Sequence, residues 1–413
     1  MLSRFAKYLD RTWEFSEIIG GLKDHRLYAQ IPTQAVFLSC FGMFSLRLPS
    51  FNELEQQLKI PQRWDGWVGP AKPSADALGY AEERFDVSVL RRIRDHIACQ
   101  FKRKKALHRL YPDSHWVGAL DGIETYKSKK RCCPECLTRE LEVAGEKVTE
   151  YYHRYVALQL VGATPAVILD AEPLMPGETE AAAGSRLLKR FKASMPRFLD
   201  WITMDAFYLQ APFVKEVLDL GYGLVIVLKQ ENRELYQDME GLLKISQPET
   251  INGLDAKTQL WDIRNLTTWS QLGRPVRAVR SLEESVKRER VAGKLIERPI
   301  VEDWRWAVIT PKDRAEPTAE LISRWGHARW DEETRGFGEL TQHWHLNHCY
   351  HHHPTAMLVN LLILFLAFAL STVFFSRNLK PVLRGDKTRI HLARLLADDL
   401  ALGGLAFFWA HPP

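Results

Sequence analysis

Residues 200–230, DWITMDAFYLQAPFVKEVLDLGYGLVIVLKQ, decide the fold class. DWITMDAF (200–207) is a short apolar run that closes on Asp205. APFVKEVLDLG (211–221) carries apolar residues at helical spacing, and YGLVIVLKQ (222–230) is a second strand-like run. Upstream lie a helix, EAAAGSRLLKRFKASM (180–195), and three strand-like runs separated by Gly and Pro: HWVGALDG (115–122), YYHRYVALQLVG (151–162) and TPAVILDAE (164–172). Three strands followed by alternating helix and strand describe a mixed α/β sheet with helices on its faces.

The flanks differ in character. Residues 1–110 carry helical spacing almost throughout and read as a helical N-terminal domain, with Ser74 or Asp76 as a cap after the Gly- and Pro-bearing loop RWDGWVGPAKPSAD. From 231 the alternation gives way to TQLWDIRNL, RPVRAVRSL, ERPIVEDW and RWAVITP, an inserted, mostly β subdomain to about 317. A helix from Thr318 to His343 resumes the α/β pattern. The expected organisation is therefore 1–110 helical, 111–230 the first part of the sheet domain, 231–317 the β-rich insertion, 318–380 its remainder, and 381–413 a helical tail.

The chain has 413 residues, 46% of them hydrophobic and 26% charged, which excludes disorder as the dominant state. Its 24 Gly and 21 Pro exclude collagen-like composition, and its six Cys are too sparse for a secreted disulfide scaffold. MLSRFAKYLDRTWEF lacks the apolar core of a secretory signal, so a cytoplasmic location is expected. AMLVNLLILFLAFALSTVFF (356–375) is long enough to span a bilayer, but a helix apolar all round equally suits the core of a large protein.

Net charge is only +5, but it is unevenly spread. Between Arg91 and Leu110 stand Arg91, Arg92, Arg94, Lys102, Arg103, Lys104, Lys105 and Arg109 against the single acid Asp95, a local balance of 8 − 1 = +7. A cluster of that kind suits a polyanion, nucleic acid first, with a solvated helix face as the plain alternative. Cys133-Pro-Glu-Cys136 is a CxxC knuckle. It reads either as a Zn²⁺ site, with His153 as third ligand and Cys132 as fourth, or as a metal-free thiol loop. The run HWHLNHCYHHH (343–353) holds six of the 14 His, as phosphate contacts, helix-capping groups or metal ligands. Trp261 and Trp269 in the β insertion suit core packing, with base stacking as the alternative.

Three carboxylates stand at ends of elements that one sheet could gather: Asp121 after the first strand, Asp205 after WITM, and Glu333 in the helix RWDEETRGFGEL. Divalent ions for phosphodiester chemistry prefer such hard oxygen ligands. The order Asp, Asp, Glu with a β insertion before the Glu, together with LDGIETYKSKKR, LDAEPLMPGETEAAAGSRLLKR and ARWDEETRGF, resembles the DDE transposases of bacterial insertion sequences. Within them it is similar to the hairpin-forming group, whose ribonuclease H-like domain is interrupted by β strands.

The resemblance implies a ribonuclease H-like mixed sheet with helices on both faces, and Asp121, Asp205 and Glu333 as ligands of Mg²⁺ or Mn²⁺. Arg329 fits the arginine of the signature Y-x2-R-x3-E-x6-K, as a DNA contact; Gly326 and Leu340 stand where its tyrosine and lysine would be. His327 or Trp325, and His343 or His345, are the substitutes considered for those two. The implied activity is binding of transposon terminal inverted repeats, strand cleavage, and transfer to target DNA by a homodimer, with no membrane and the 356–375 helix in the core. The alternatives are a nuclease on the same fold that does not join strands, and an inactive zinc-stabilised DNA-binding relative.

Overall fold

The computed structural model describes residues 1–111, 115–130, 133–229, 231, 233–252, 256–291, 294–330, 332–385 and 387–401. Helices α1 (Leu2–Trp13), α2 (Phe15–Gly20), α3 (Thr33–Leu46), α4 (Phe51–Leu58), α5 (Asp65–Val68), α6 (Ala75–Glu82) and α7 (Val87–Arg103) come first. There follow β1 (His108–Arg109), β2 (Val117–Ser128), β3 (Leu137–Val143), β4 (Glu146–Val161), β5 (Ala163–Thr164), β6 (Val167–Pro173), α8 (Glu180–Ser194), β7 (Trp201–Met204), α9 (Ala211–Asp219), β8 (Gly223–Val227) and α10 (Glu234–Leu243). Next are β9 (Glu249–Asn252), β10 (Ala256–Leu266), β11 (Val276–Val291), β12 (Lys294–Ile309) and α11 (Ala319–Ala328). A π-helical segment (Glu332–Phe337), α12 (Gly338–His343), α13 (Pro354–Val373), α14 (Pro381–Arg384) and α15 (Arg389–Ala401) end the described chain.

Strand order in the main sheet is β3-β4-β2-β7-β8-β12-β11-β10-β9, with β6 also on β4. β2, β7 and β8 are parallel neighbours, and β6 is antiparallel to β4. The path β6-β4-β2-β7-β8 is the ribonuclease H-like arrangement, and the fold is a mixed α/β fold of that type. Register fixes its faces. Val117 lies opposite Trp201 and Leu120 opposite Met204, so Trp201 and Leu120 project from opposite sides. Trp201 meets Trp325 of α11, at 5.2 Å between ring centroids, while a Cβ on Gly184 of α8 would touch Leu120. Helices therefore cover both faces, which explains why β7 and β8 are buried at every position.

The chain forms two compact units: Met1–Pro112, Gly122–Ala183 and Glu332–Pro413 in the first, Asp113–Asp121 and Gly184–Asp331 in the second. This differs from the boundaries expected at 110, 230 and 317. The N-terminal helices are no separate body. α3 is an apolar helix buried from Ala35 to Leu46 and packs on the equally apolar α13, so each supplies the other's cover inside the first unit. The 25-residue apolar segment Pro354–Asn378 is long and apolar enough to cross a membrane, and its apolar window is wholly buried.

The β-rich insertion extends the same sheet: β12 pairs antiparallel with β8 and carries β11, β10 and β9 beyond it. Three local expectations are corrected. ELYQDMEGLL (234–243) is a helix, with Leu235, Met239 and Leu243 buried one turn apart. ERPIVEDW and RWAVITP are one strand, β12. The helix expected from Thr318 to His343 is broken after Ala328 and continues as a π-helical turn. A Cβ at Gly338 would stand 2.7 Å from the Glu333 carbonyl oxygen, so the wide turn closes because residue 338 is glycine.

Within the first unit α6 and α13 share a buried polar contact. Glu82 has no solvent exposure; Asn360 Nδ2 donates to its Oε2 at 2.6 Å, and the Cys40 thiol lies 3.2 Å from its Oε1. Burial pushes the Glu82 carboxyl up from 4.5 to about 8. Between those values the folded chain holds a proton that the unfolded chain has released. Stability therefore falls as pH rises from 4.5 towards 8, by at most ~1.4 kcal/mol per pH unit, and this contribution levels off above. Glu82→Gln is expected to remove that slope when urea unfolding free energies are compared across this range; an unchanged slope contradicts the assignment.

Candidate active site

Parallel register places the first two carboxylates. Leu120 and Met204 are partners on β2 and β7, so Asp121 and Asp205 are the next residues on neighbouring strands, which lie about 4.8 Å apart. Alternation turns Asp121 to the sheet face that carries Trp201 and α11. There Arg329, the C-cap of α11, donates from Nη1 to Asp121 Oδ2 at 2.7 Å. Asp205 leaves β7 as the N-cap of a short 3₁₀ turn, its Oδ1 accepting from the Ala206 N–H at 2.8 Å. Its side chain is 39% exposed against 21% for Asp121, so both keep oxygen surface open to solvent.

Lys229, just past the end of β8, brings its Nζ to 3.7 Å from Asp205 Oδ1 and lies over the Trp304 ring. Sequence reasoning missed it. Its signal was position, two residues beyond a third parallel strand, where open α/β sheets gather functional groups. Asp121 within β2, Asp205 just past β7 and Lys229 just past β8 thus stand on adjacent strands in the second unit, and β2 runs on to Ser128 instead of ending at Asp121 as expected. Glu333 belongs to the first unit, where it lies exposed in the π-helical turn.

Arg329 is 4% exposed and engaged with Asp121, so in this state it serves the carboxylate and offers no surface to DNA. The two departures from the arginine–glutamate signature have steric causes. A Cβ at Gly326 would fall 2.2 Å from Trp306 Nε1, so the indole occupies the tyrosine's space. Leu340 is completely buried, where a lysine would lose its hydration. Three of the four substitutes considered for them have side chains committed elsewhere: Trp325 is in the core and His327 pairs with Glu283 at 2.8 Å. His345 Nε2 lies 3.2 Å from the Arg47 carbonyl oxygen, and the His343 carbonyl accepts from Arg47. Trp261 lies under the Arg280 guanidinium, and Trp269 joins Arg233 and Gln210 on the wall of an open cavity of ≈ 540 Å³.

The basic cluster divides. Arg91 Nη2 donates to the Ala171 carbonyl at 2.9 Å and contacts Glu172 at 3.3 Å, and both Arg91 and Arg94 pair with Asp170, which has no exposure. These two arginines, expected on DNA, anchor α7 to β6, because a buried carboxylate on the sheet requires cationic partners. Arg92, Arg103, Lys104 and Lys105 are exposed and Lys102 is half-exposed; they form the solvent-facing part of the cluster.

The cysteine knuckle gathers a different donor set in the first unit. Cys133, Cys136, His153 and His352 bring one donor atom each to within 4.8 Å of one another, an arrangement able to hold a metal ion. Burial, aided by the neighbouring His352, holds the His153 imidazole down to about 4, in its neutral, ligand-competent form. Cys132, weighed as the fourth ligand, lies outside the described residues.

Residues 176–370 match the family model described as Transposase DDE domain. Over those residues the chain is similar to a transposase domain. The matched segment includes Asp205, Arg329 and Glu333, while Asp121 precedes it. No curated protein matches the chain. Among solved structures it is similar to a piggyBac transposase synaptic complex with hairpin DNA, at 13% identity and a TM-score of 0.42, over 97% of this chain and 79% of that one.

The contacts predict unequal costs for neutralising the two aspartates. Asp121→Asn weakens a charge-assisted bond to a buried guanidinium and is expected to cost about 1.5–3 kcal/mol. Asp205→Asn keeps the capping oxygen and loses only a half-exposed pairing with Lys229, so its cost is expected below ~1 kcal/mol. Urea unfolding of both variants checks this; equal costs would remove the inequality.

Proposed function

We propose that this chain is a DNA transposase that cleaves transposon ends and joins them to target DNA, with Asp121, Asp205 and Glu333 as the residues that hold Mg²⁺ or Mn²⁺. The observation that carries this reading is the pair Asp121 and Asp205, side by side on parallel strands and open to solvent. Hard, anionic oxygen donors suit these ions, whereas a pair of buried, fully engaged carboxylates would not. Bound there, divalent ions would stabilise charge on the reacting phosphate and favour ionisation of the attacking water.

The protein's own task is placement. Asp121 is held by Arg329 and Asp205 by the Ala206 N–H, so both carboxylates are oriented before DNA arrives. Glu333 supplies the third carboxylate. In cleavage, a water oxygen bonds to the phosphorus at the transposon end while the P–O3′ bond breaks. The water gives up its proton, and the departing oxygen gains one to become a 3′-hydroxyl beside a 5′-phosphate. That hydroxyl then bonds to a phosphorus of the opposite strand or of target DNA and displaces a second 3′ oxygen. Lys229 stands where it can offset phosphate charge near Asp205.

Arg92, Lys102, Arg103, Lys104 and Lys105 are the cations proposed for the DNA backbone, in a homodimer that pairs two terminal inverted repeats. Origin in a bacterial insertion sequence and a nucleoid location complete the reading. Inverted repeats flanking the gene would support the former.

Asp205→Asn is the direct test, because its fold is expected to survive. Mg²⁺-dependent cleavage of end DNA should fall by at least ~100-fold, in the range of losses when a charge-stabilising group is removed, while end binding persists. Undiminished cleavage would refute the assignment. Pre-cleaved ends separate the transposase from a nuclease on the same fold: joining to target DNA is expected, and nicking alone would favour the nuclease.

A further inference from the structure

The four donor atoms of the cysteine–histidine group are spaced like a coordination sphere. Cys133 Sγ and Cys136 Sγ are 3.5 Å apart. His153 Nε2 lies 3.5 Å from Cys133 Sγ and 3.3 Å from Cys136 Sγ, and His352 Nε2 lies 3.4 Å from both Cys136 Sγ and His153 Nε2. Tetrahedral zinc with ordinary bond lengths separates its ligands by about 3.8 Å for S···S, about 3.6 Å for S···N and about 3.3 Å for N···N. Each of these separations is within a few tenths of an ångström of those values.

We propose that Cys133, Cys136, His153 and His352 bind one structural Zn²⁺, with His352 as the fourth ligand. Two sulfurs and two imidazole nitrogens in a tetrahedron select zinc among the abundant divalent ions. A two-iron cluster with a Cys₂His₂ set would hold its cysteines on one iron and its histidines on the other, so sulfur and nitrogen would not share one sphere. The surroundings suit a thiolate site. The Cys133 N–H donates to Cys136 Sγ at 3.2 Å, the Cys136 N–H closes the knuckle on the Cys133 carbonyl at 3.1 Å, and Tyr126 packs on the His352 ring at 4.6 Å. Three other histidines of the run are distinguished by their contacts: His345 lies against the Arg47 carbonyl, His351 pairs with Glu83 at 2.8 Å, and His348 meets Tyr350 edge-on.

The ion joins three stretches of one unit that are remote in sequence: the knuckle before β3, the strand β4, and the segment two residues ahead of α13. His153 and His352 are 199 residues apart, so the metal closes a long loop onto the sheet. Its role is structural. Four protein ligands fill the sphere and leave no position for substrate.

Metal content of the full chain, produced without a histidine tag, tests this independently of any DNA reaction. One zinc per chain is expected, and His352→Ala or Cys136→Ser should weaken its retention against a chelator by at least about tenfold. His351→Ala should leave retention unchanged. Should the ligand variants fail to fold, cobalt exchanged into the wild-type protein gives a second readout. Tetrahedral d–d bands with thiolate-to-cobalt charge transfer are then expected. Zinc-free protein with a Cys133–Cys136 disulfide, zinc retention indifferent to His352→Ala, or an octahedral cobalt spectrum would each overturn the proposal.

Discussion

The parallel pairing of β2 with β7 is the constraint on which the candidate active site depends. Because Leu120 sits opposite Met204, the next residue on each strand is an aspartate, and the pleat decides which way it points. A slip of one residue would send Asp121 to the α8 face, away from Arg329, and would bury the wrong side chains on both faces. The register is protected by this double burial: Trp201 is committed to α11 on one side and Leu120 to α8 on the other. The site geometry is thus a by-product of core packing.

Charge in this protein is shared between cohesion and surface. The helix α7 carries a cluster that reads as one electrostatic feature, but its 3.6-residue period divides the cluster. Arg91 and Arg94 face the sheet and neutralise buried Asp170, while Arg92 and the lysines near the helix end face solvent. Arg329 follows the same logic, almost fully buried on a carboxylate that would otherwise repel its neighbour. A positive run in a sequence states how much charge is present; which face it occupies depends on the helix's partner.

Two donor chemistries are kept apart. The carboxylate pair in the second unit is hard, anionic and open, whereas the cysteine–histidine group in the first is soft, compact and largely enclosed. Softness and enclosure suit a structural ion and discourage exchange with the ions that phosphate chemistry requires.

The sequence by itself determined the mixed α/β class, the alternation of β7, α9 and β8, the aspartate that follows β7 and the spacing of the cysteine knuckle. All of these are written in local periodicity or short spacing. It also held the signals for α10, whose apolar residues recur every four positions inside the segment expected to be a mostly β insertion. Only the tertiary structure decided that the N-terminal helices and α13 share one core, that Trp306 excludes a side chain at Gly326, that Lys229 stands beside Asp205, and that His352 completes the cysteine group. Each of those facts joins residues tens to hundreds of positions apart. Pairings of that kind follow from which buried surfaces find each other, and no pattern along the chain encodes them.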